Sequence, residues 1–359
     1  MIITRTPFRV SFFGGGTDYP DWYREHAGAT LAMAIDKYCY ISCRYLPPFF
    51  EHKSRIAYSK IETVASNDEI EHPAVRAVLN YMDIRDGVEI HYDADLPART
   101  GLGTSSAFTV GLLSATHALT GRLSTMHQLA SSAVHIEQQV LREPVGCQDQ
   151  ITAAYGGFSR IEFKRDETFE VSPVTLSRER LREFESHLML VFTGVVRLSA
   201  DYSAVQVRTI PNRKRELERM HAMVDEGLSL LGSSSGLERF GRLLDEAWRL
   251  KRSLTDCISS PHIDGIYEAG MEAGAWGGKL LGAGGGGFVL FFAPPERHAQ
   301  IQARLPHLMH VPVRTATSGC QIVLYTPQAE RGRVDEWSPL AHSASTPVNI
   351  AASALTIEG

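Results

Sequence analysis

Apolar residues run almost without interruption from Ile2 to Phe13, and again, mixed with aromatics, from Thr30 to Tyr45. Both runs predict β-strands. Val88, Ile90 and Tyr92 then alternate with Glu89 and His91, the period-two pattern of a half-buried strand. That strand leads through Asp95-Leu-Pro into a turn rich in Gly, Ser and Thr, after which small and apolar residues continue from Ser105 to Thr120. This predicts a helix stopped at Gly121. A second helix is predicted from Thr125, where Thr-x-x-Gln forms a capping box. Leu129, Ala133, Ile136 and Val140 follow at helical spacing and define one buried face. Near Val171 to Glu179 the texture turns polar and proline-containing, which predicts a junction between one domain over 1–175 and another over 176–330. Beyond it lie a predicted strand (Leu188 to Phe192), two charged helices (Arg213 to Leu231, Leu237 to Leu254) and a glycine-rich turn between apolar runs. A helix, strand, strand ending is predicted at about Glu296–Leu305, Val311–Thr317 and Gln321–Tyr325, and residues 331–359 read as a tail of little structural weight.

Composition narrows the class. With 359 residues, the chain has room for about two domains at roughly 150 residues each. At 43% hydrophobic and 21% charged, it is ordinary for a globular protein. A net charge of −5 gives no footprint for nucleic acid or an anionic membrane. No run of about 18 apolar residues predicts a membrane span, and no signal peptide is read at the N-terminus. Five scattered cysteines (Cys39, Cys43, Cys147, Cys257, Cys320) argue against a disulfide scaffold and for a cytoplasmic chain, with Cys39 and Cys43 as core residues of a strand.

Three glycine-rich segments carry the candidate chemistry. Gly14-Gly15-Gly16-Thr17-Asp18-Tyr19 ends the first strand. Consecutive glycines let backbone N–H groups approach a ligand, and Thr17 and Asp18 suit hydroxyl groups, although a plain strand-ending turn is the simpler alternative. In Pro97-Ala-Arg-Thr-Gly101-Leu102-Gly103-Thr104-Ser105-Ser106-Ala107 a strand leads in and a helix leads out. The turn's N–H groups and the helix dipole then converge on one point, an anion site suited to nucleotide phosphates. A helix merely capped by Ser or Thr is the alternative. Lys279-Leu-Leu-Gly282-Ala-Gly284-Gly285-Gly286-Gly287-Phe288 formally contains GxGxxG, yet an apolar strand follows it instead of a helix, which rules out a dinucleotide fingerprint. A hairpin loop pressed against a ligand or another loop fits better.

Two carboxylates stand beside these loops. At about 100° per residue, Glu137 falls within the apolar stripe of its helix, where an ionised carboxylate is costly unless paired or bound to a cation. It is therefore a candidate metal ligand. Asp149 lies in Pro144-Val-Gly-Cys-Gln-Asp149-Gln, between a helix and Ala154-Tyr-Gly-Gly, where a cap or turn role is the plain reading.

Taken together, FRVSFFGGGTDYP, PARTGLGTSSA and KLLGAGGGG, in this order from Pro7 to Gly287, resemble the three motifs of the GHMP small-molecule kinases. The triple glycine, YLPPFFEHKSRIAYSKIE at Tyr45 to Glu62 and FTGVVR at Phe192 to Arg197 are similar to the D-glycero-D-manno-heptose 7-phosphate kinases. Those enzymes phosphorylate the anomeric hydroxyl to give the 1,7-bisphosphate on the way to GDP-heptose for surface polysaccharide. The resemblance implies an α+β fold with a ribosomal S5-like N-terminal domain and a ferredoxin-like C-terminal domain. It implies ATP and Mg²⁺, with Gly101, Leu102, Gly103, Thr104, Ser105 and Ser106 on the nucleotide phosphates, and Ser105 and Glu137 on the metal. Asp149 matches the catalytic aspartate and Arg9 a partner near the transferring phosphoryl. Gly14, Gly15, Gly16, Thr17 and Asp18 would bind sugar hydroxyls, and Gly284 and Gly285 would close the site. The implied partners are ATP and a sugar phosphate. For that phosphate the candidates are Arg44, Lys53, Arg55, Arg99 and Arg197, with Arg197 favoured because it follows the Gly194 turn.

The rivals are a kinase of another sugar, fucose- or galactose-like, and a catalytically inactive sugar-sensing relative. Intact Asp149, Glu137 and phosphate loop disfavour the sensor. Gly-Thr-Asp-Tyr disfavours both a mevalonate-type kinase and a diphosphate-decarboxylase-type lyase.

Overall fold

The first long apolar run forms β1 (Ile2–Phe13), which hairpins into β2 (Gly28–Tyr45) at the centre of a mixed sheet. The structure is a computed structural model and describes residues 1–47, 49–196, 199–233 and 235–326. The sheet continues through β3 (Ser54–Ala57), β4 (Ile61–Val64), β5 (Val88–Ala94), β6 (Phe158–Phe163) and β7 (Phe169–Pro173). A second sheet is built from β8 (Leu188–Phe192), β9 (Gly277–Leu280), β10 (Phe288–Phe292) and β11 (His310–Val311). A last strand, β12 (Gln321–Tyr325), returns to the first sheet. The first sheet thus has the order β12-β1-β2-β5-β3-β4 with β6 also on β2 and β7 on β6, and the second is antiparallel with order β11-β8-β10-β9. Helices and two separate sheets make the fold α+β. Among the described residues no helix is long and apolar enough to cross a membrane.

Five phenylalanines knit the layers together. Phe12 on β1, Phe158 on β6, Phe184, Phe240 and Phe292 on β10 meet with ring centroids 5.1–5.6 Å apart. Each ring contributes roughly 1.5–3 kcal/mol by leaving water, and edge-to-face pairs add to that. Cys39 and Cys43 are buried in β2, as core residues.

Several predicted elements differ in detail. The helix after the phosphate-type turn spans Thr104–Leu119 and the next spans Met126–His135, with Thr125 and Gln128 forming the capping box in both directions. The predicted face then fails at Val140, which is 47% exposed. A π-helical turn at Ile136–Val140 inserts extra winding there and rotates Val140 into solvent while keeping Ile136 and Glu137 inside. The predicted strand at Val311–Thr317 shrinks to a two-residue pairing with β8 plus a single bridge from Thr315 to Ile35. The predicted helix at Glu296–Leu305 is a short 3-10 turn followed by His298–Arg304. The predicted junction begins inside β7. The predicted tail lies outside the described residues.

Candidate active site

The three glycine-rich segments converge on one cavity of about 710 Å³. Gly101 and Gly103 hold φ +80° and +70°, which turns the chain abruptly from β5 into the Thr104–Leu119 helix. Gly103 occupies the cap position and no side chain caps the helix, so its first N–H groups stay free for a ligand. The alternative of a Ser or Thr cap is therefore not what forms. Gly103, Thr104, Ser105 and Ser106 line the cavity.

Arg9, deep in β1, organises the centre. Its Nε and Nη2 donate to Oδ1 and Oδ2 of Asp149, each at 2.6 Å, while Nη1 donates to the Gly101 carbonyl at 2.6 Å. Asp149 sits in the first turn of the Gln148–Tyr155 helix, where the helix dipole also favours its negative charge. A side chain on Gly103 would press on both partners, its Cβ 3.2 Å from Arg9 Cγ and from Asp149 Oδ2. The pair is thus locked beneath the phosphate-type loop.

Asp18 lies next to it, buried. Its Oδ1 accepts from the Gly16 N–H and its Oδ2 from Gln148 Nε2, both at 2.9 Å. Burial, then the neighbouring Asp149 charge, raises its pKa above the ordinary carboxylate value. Ser11 Oγ and Gln148 Oε1, also on the cavity wall, are buried without a partner among the described residues. Such orphaned groups are costly unless a ligand hydroxyl satisfies them. Sequence reasoning missed Ser11 and Gln148, since a serine in a strand and a glutamine in a helix carry no pattern.

Glu137 is 1% exposed and reaches the cavity from the π-helical turn. Its Oε2 accepts from Ser106 Oγ at 2.9 Å and from Gln150 Nε2, and the Thr109 hydroxyl also lies near the carboxylate, whereas Oε1 has no hydrogen-bond partner among the described residues. Burial pushes its pKa up to about 7. Ser105 stands exposed at the same wall.

In the wall of the same cavity an aromatic recess forms from separate elements. His72 stacks on Phe108 at 4.8 Å, with Tyr58 edge-on to His72 and Tyr92 edge-on to Phe108. Burial lowers the His72 pKa, which keeps the ring neutral and lets Nδ1 accept from the Val75 N–H. Such flat, mostly apolar walls suit a purine base. Local sequence offers no signal for them, because the four rings come from four different stretches.

Not every predicted residue reaches the cavity. Gly15, Gly16, Asp18, Gly101, Arg9 and Asp149 do. Gly14 instead packs against the Ala29 carbonyl, and Thr17 donates to the Gly14 and Ala29 carbonyls, so both serve the loop's own fold. Leu102 is wholly buried and accepts from the Arg9 N–H. Gly284 and Gly285 pack against Ile258 and Tyr202, and the wall from this loop comes from Gly282 and Ala283. The loop does press on another loop: a Cβ on Gly282 would lie 2.4 Å from Gly101 Cα. Arg44 and Arg55 are away from the cavity, paired with Glu89. Arg99 lines it near the aromatic recess, and Arg197 lies outside the described residues.

Comparison with known proteins now decides the class. The profile of the GHMP kinases N terminal domain matches residues 70–157, and that of the GHMP kinases C terminal matches 229–310. The chain carries both GHMP kinase domains. It is an enzyme, an ATP-dependent phosphotransferase. A D-glycero-alpha-D-manno-heptose 7-phosphate kinase of Campylobacter jejuni is 27% identical over 309 residues, covering 82% of this chain and 90% of that one. A bifunctional fucokinase/GDP-fucose pyrophosphorylase of Arabidopsis thaliana is 27% identical over 83% of this chain but only 30% of its own length. Among solved structures, a D-glycero-D-manno-heptose 1-phosphate kinase from Bacteroides thetaiotaomicron superposes with a TM-score of 0.68 at 22% identity, over 91% of this chain and all of that one, which speaks for the fold.

Proposed function

We propose that this GHMP kinase phosphorylates the anomeric hydroxyl of D-glycero-D-manno-heptose 7-phosphate from ATP, giving the 1,7-bisphosphate that feeds GDP-heptose synthesis for surface polysaccharide. The observation that carries the phosphotransfer is the Arg9–Asp149 pair set directly under the open helix N-terminus. The phosphate loop N–H groups hold the nucleotide's phosphates, and the aromatic recess takes its base. Asp149, oriented by two hydrogen bonds from Arg9, receives the acceptor hydroxyl and its proton. An anomeric hydroxyl is more acidic than an ordinary alcohol, so positioning does most of the work. Gly16, Asp18, Ser11 and Gln148 offer the donors and acceptors a polyol needs, which favours a sugar over a mevalonate-like acid.

Magnesium fits the residues present. Glu137 Oε1 is a buried carboxylate oxygen without a hydrogen-bond partner among the described residues, and the exposed Ser105 hydroxyl lines the same cavity; carboxylate and hydroxyl are oxygen ligands a hard cation takes. Ser105 and Glu137 would hold it, and bound there it would supply charge neutralisation for the nucleotide phosphates.

The sugar itself rests on the likeness to the Campylobacter enzyme over nearly its full length. A fucose-type acceptor is the second reading, favoured by the fucokinase likeness. ADP release with Mg-ATP should be measured against the heptose 7-phosphate, sedoheptulose 7-phosphate, mannose, galactose, fucose and mevalonate. Selectivity for the heptose phosphate, abolished in Asp149→Ala, is the expected result. Turnover of a free hexose in its place overturns the heptose assignment, and no turnover with tight ATP binding would favour a sensor.

A further inference from the structure

We propose that Lys251 and Lys279 together form a binding site for a phosphoryl group between the phosphate loop and the first glycine loop, an inference that rests on the phosphotransferase reading. Lys251 lies in the last turn of the Glu238–Leu254 helix and Lys279 in β9. Both are over nine-tenths buried, and both line the cavity. Neither was predicted as a site residue.

Their hydrogen bonds show what they lack. Lys279 Nζ donates to the Phe12 carbonyl at 2.9 Å. Lys251 Nζ donates to the Leu280 carbonyl at 3.0 Å and to that of Gly282. All three partners are neutral. An ammonium carries three N–H groups, so each lysine keeps at least one donor for a ligand. The other charges nearby are already engaged. Arg9 is matched by Asp149 and the Gly101 carbonyl, and Asp18 by the Gly16 N–H and Gln148. Two buried amino groups thus face a cavity with no carboxylate among the described residues in hydrogen-bond contact, an arrangement that costs stability until an anion arrives. Burial and the Arg9 charge push Lys279 down to about 7, while burial and the Lys279 charge push Lys251 well below its ordinary value. An entering anion opposes both effects.

Position selects the kind of anion. The Gly282 carbonyl that holds Lys251 belongs to the loop packed on Gly101. The Phe12 carbonyl that holds Lys279 precedes the first glycine loop. The pair therefore stands where a nucleotide's terminal phosphate and an acceptor meet. One chemistry, a tetrahedral oxyanion, has two sources here: the transferred phosphoryl or a phosphate already on the acceptor.

The test uses Lys251→Gln and Lys279→Gln in the full chain, since an amide keeps a donor for the carbonyls while removing the charge. Sulfate, tetrahedral and dianionic across neutral pH, serves as the probe. Its stabilisation of the protein is read as a melting shift against chloride at equal ionic strength, and its inhibition is read against each substrate. Wild type should show a sulfate-specific shift and competitive inhibition, with the inhibition constant at least about tenfold weaker in either variant. An acceptor source raises KM for the phosphorylated sugar about tenfold and spares its unphosphorylated counterpart. A transferred-phosphoryl source lowers kcat about a hundredfold with both acceptors and leaves KM unchanged. A merely structural tie lowers melting temperature without altering sulfate response, which overturns the proposal, as does wild type indifferent to sulfate. Should a glutamine variant not fold, Lys→Met at the same position is read in the same way, and the wild-type sulfate response still decides. If wild type transfers phosphate to no sugar, the function above fails while the sulfate arms continue to read the lysine pair.

Discussion

Asp149 and Arg9 act as a unit because the guanidinium fork matches both carboxylate oxygens. Asp149→Asn replaces one acceptor with an amide that faces Arg9's own donors. We expect kcat to fall by about 10²–10⁴ with the circular dichroism spectrum unchanged, checked by steady-state ADP release. Arg9→Lys keeps the charge but not the fork, and should lower kcat while sparing the KM for ATP. Lys279 yields a pH prediction. Its folded pKa is lowered to about 7 from 10.5, so between those values the unfolded chain binds more protons. Stability from this group therefore rises with pH across that window, by up to about 1.4 kcal/mol per pH unit. Urea unfolding at pH 7, 8 and 9.5 should show a shallower rise in Lys279→Gln than in wild type, and parallel slopes would refute it.

At the scale of elements, the helix Thr104–Leu119 is useful because its start is left uncapped. Gly103 makes this possible: its left-handed φ of +70° admits the turn, and its missing Cβ leaves room for Arg9 and Asp149. Gly103→Ala should cost about 1–2 kcal/mol from the backbone alone and also displace the ion pair. Its KM for ATP should rise about tenfold, and a wild-type KM would show the loop to be unimportant. The π-helical turn at Ile136–Val140 is the second such device. It keeps Glu137 at the cavity wall at the expense of an exposed Val140, so a local loss of packing is traded for the position of one carboxylate.

For the whole molecule, the phenylalanine cluster ties the site's two faces together. Phe184 touches Phe12, Phe158, Phe240 and Phe292, and is fully buried. Phe184→Ala should destabilise by about 3–5 kcal/mol in chemical denaturation. Because β1 continues from Phe12 into the first glycine loop, activity should also fall at temperatures where the variant remains folded. A variant with wild-type stability would mean that the cluster is not what holds the layers.

Sequence alone determined the local features. Strands β1, β8 and β12, the capping box at Thr125 and the three glycine segments were all legible, because each depends on near neighbours and on side-chain period. The burial of Glu137 could be read from its place in the apolar stripe. Tertiary structure decided which of the glycines face the cavity, since Gly14, Thr17, Leu102, Gly284 and Gly285 all lie in the right motifs and yet pack into the protein. It alone placed Gln148, Lys251 and Lys279 beside Arg9 and Ser11, and brought four aromatic rings from distant stretches into one recess. The physical reason is the range of the forces. Backbone strain and helix capping act over a few residues, whereas the burial of charge and the pairing of polar groups depend on neighbours hundreds of residues away along the chain.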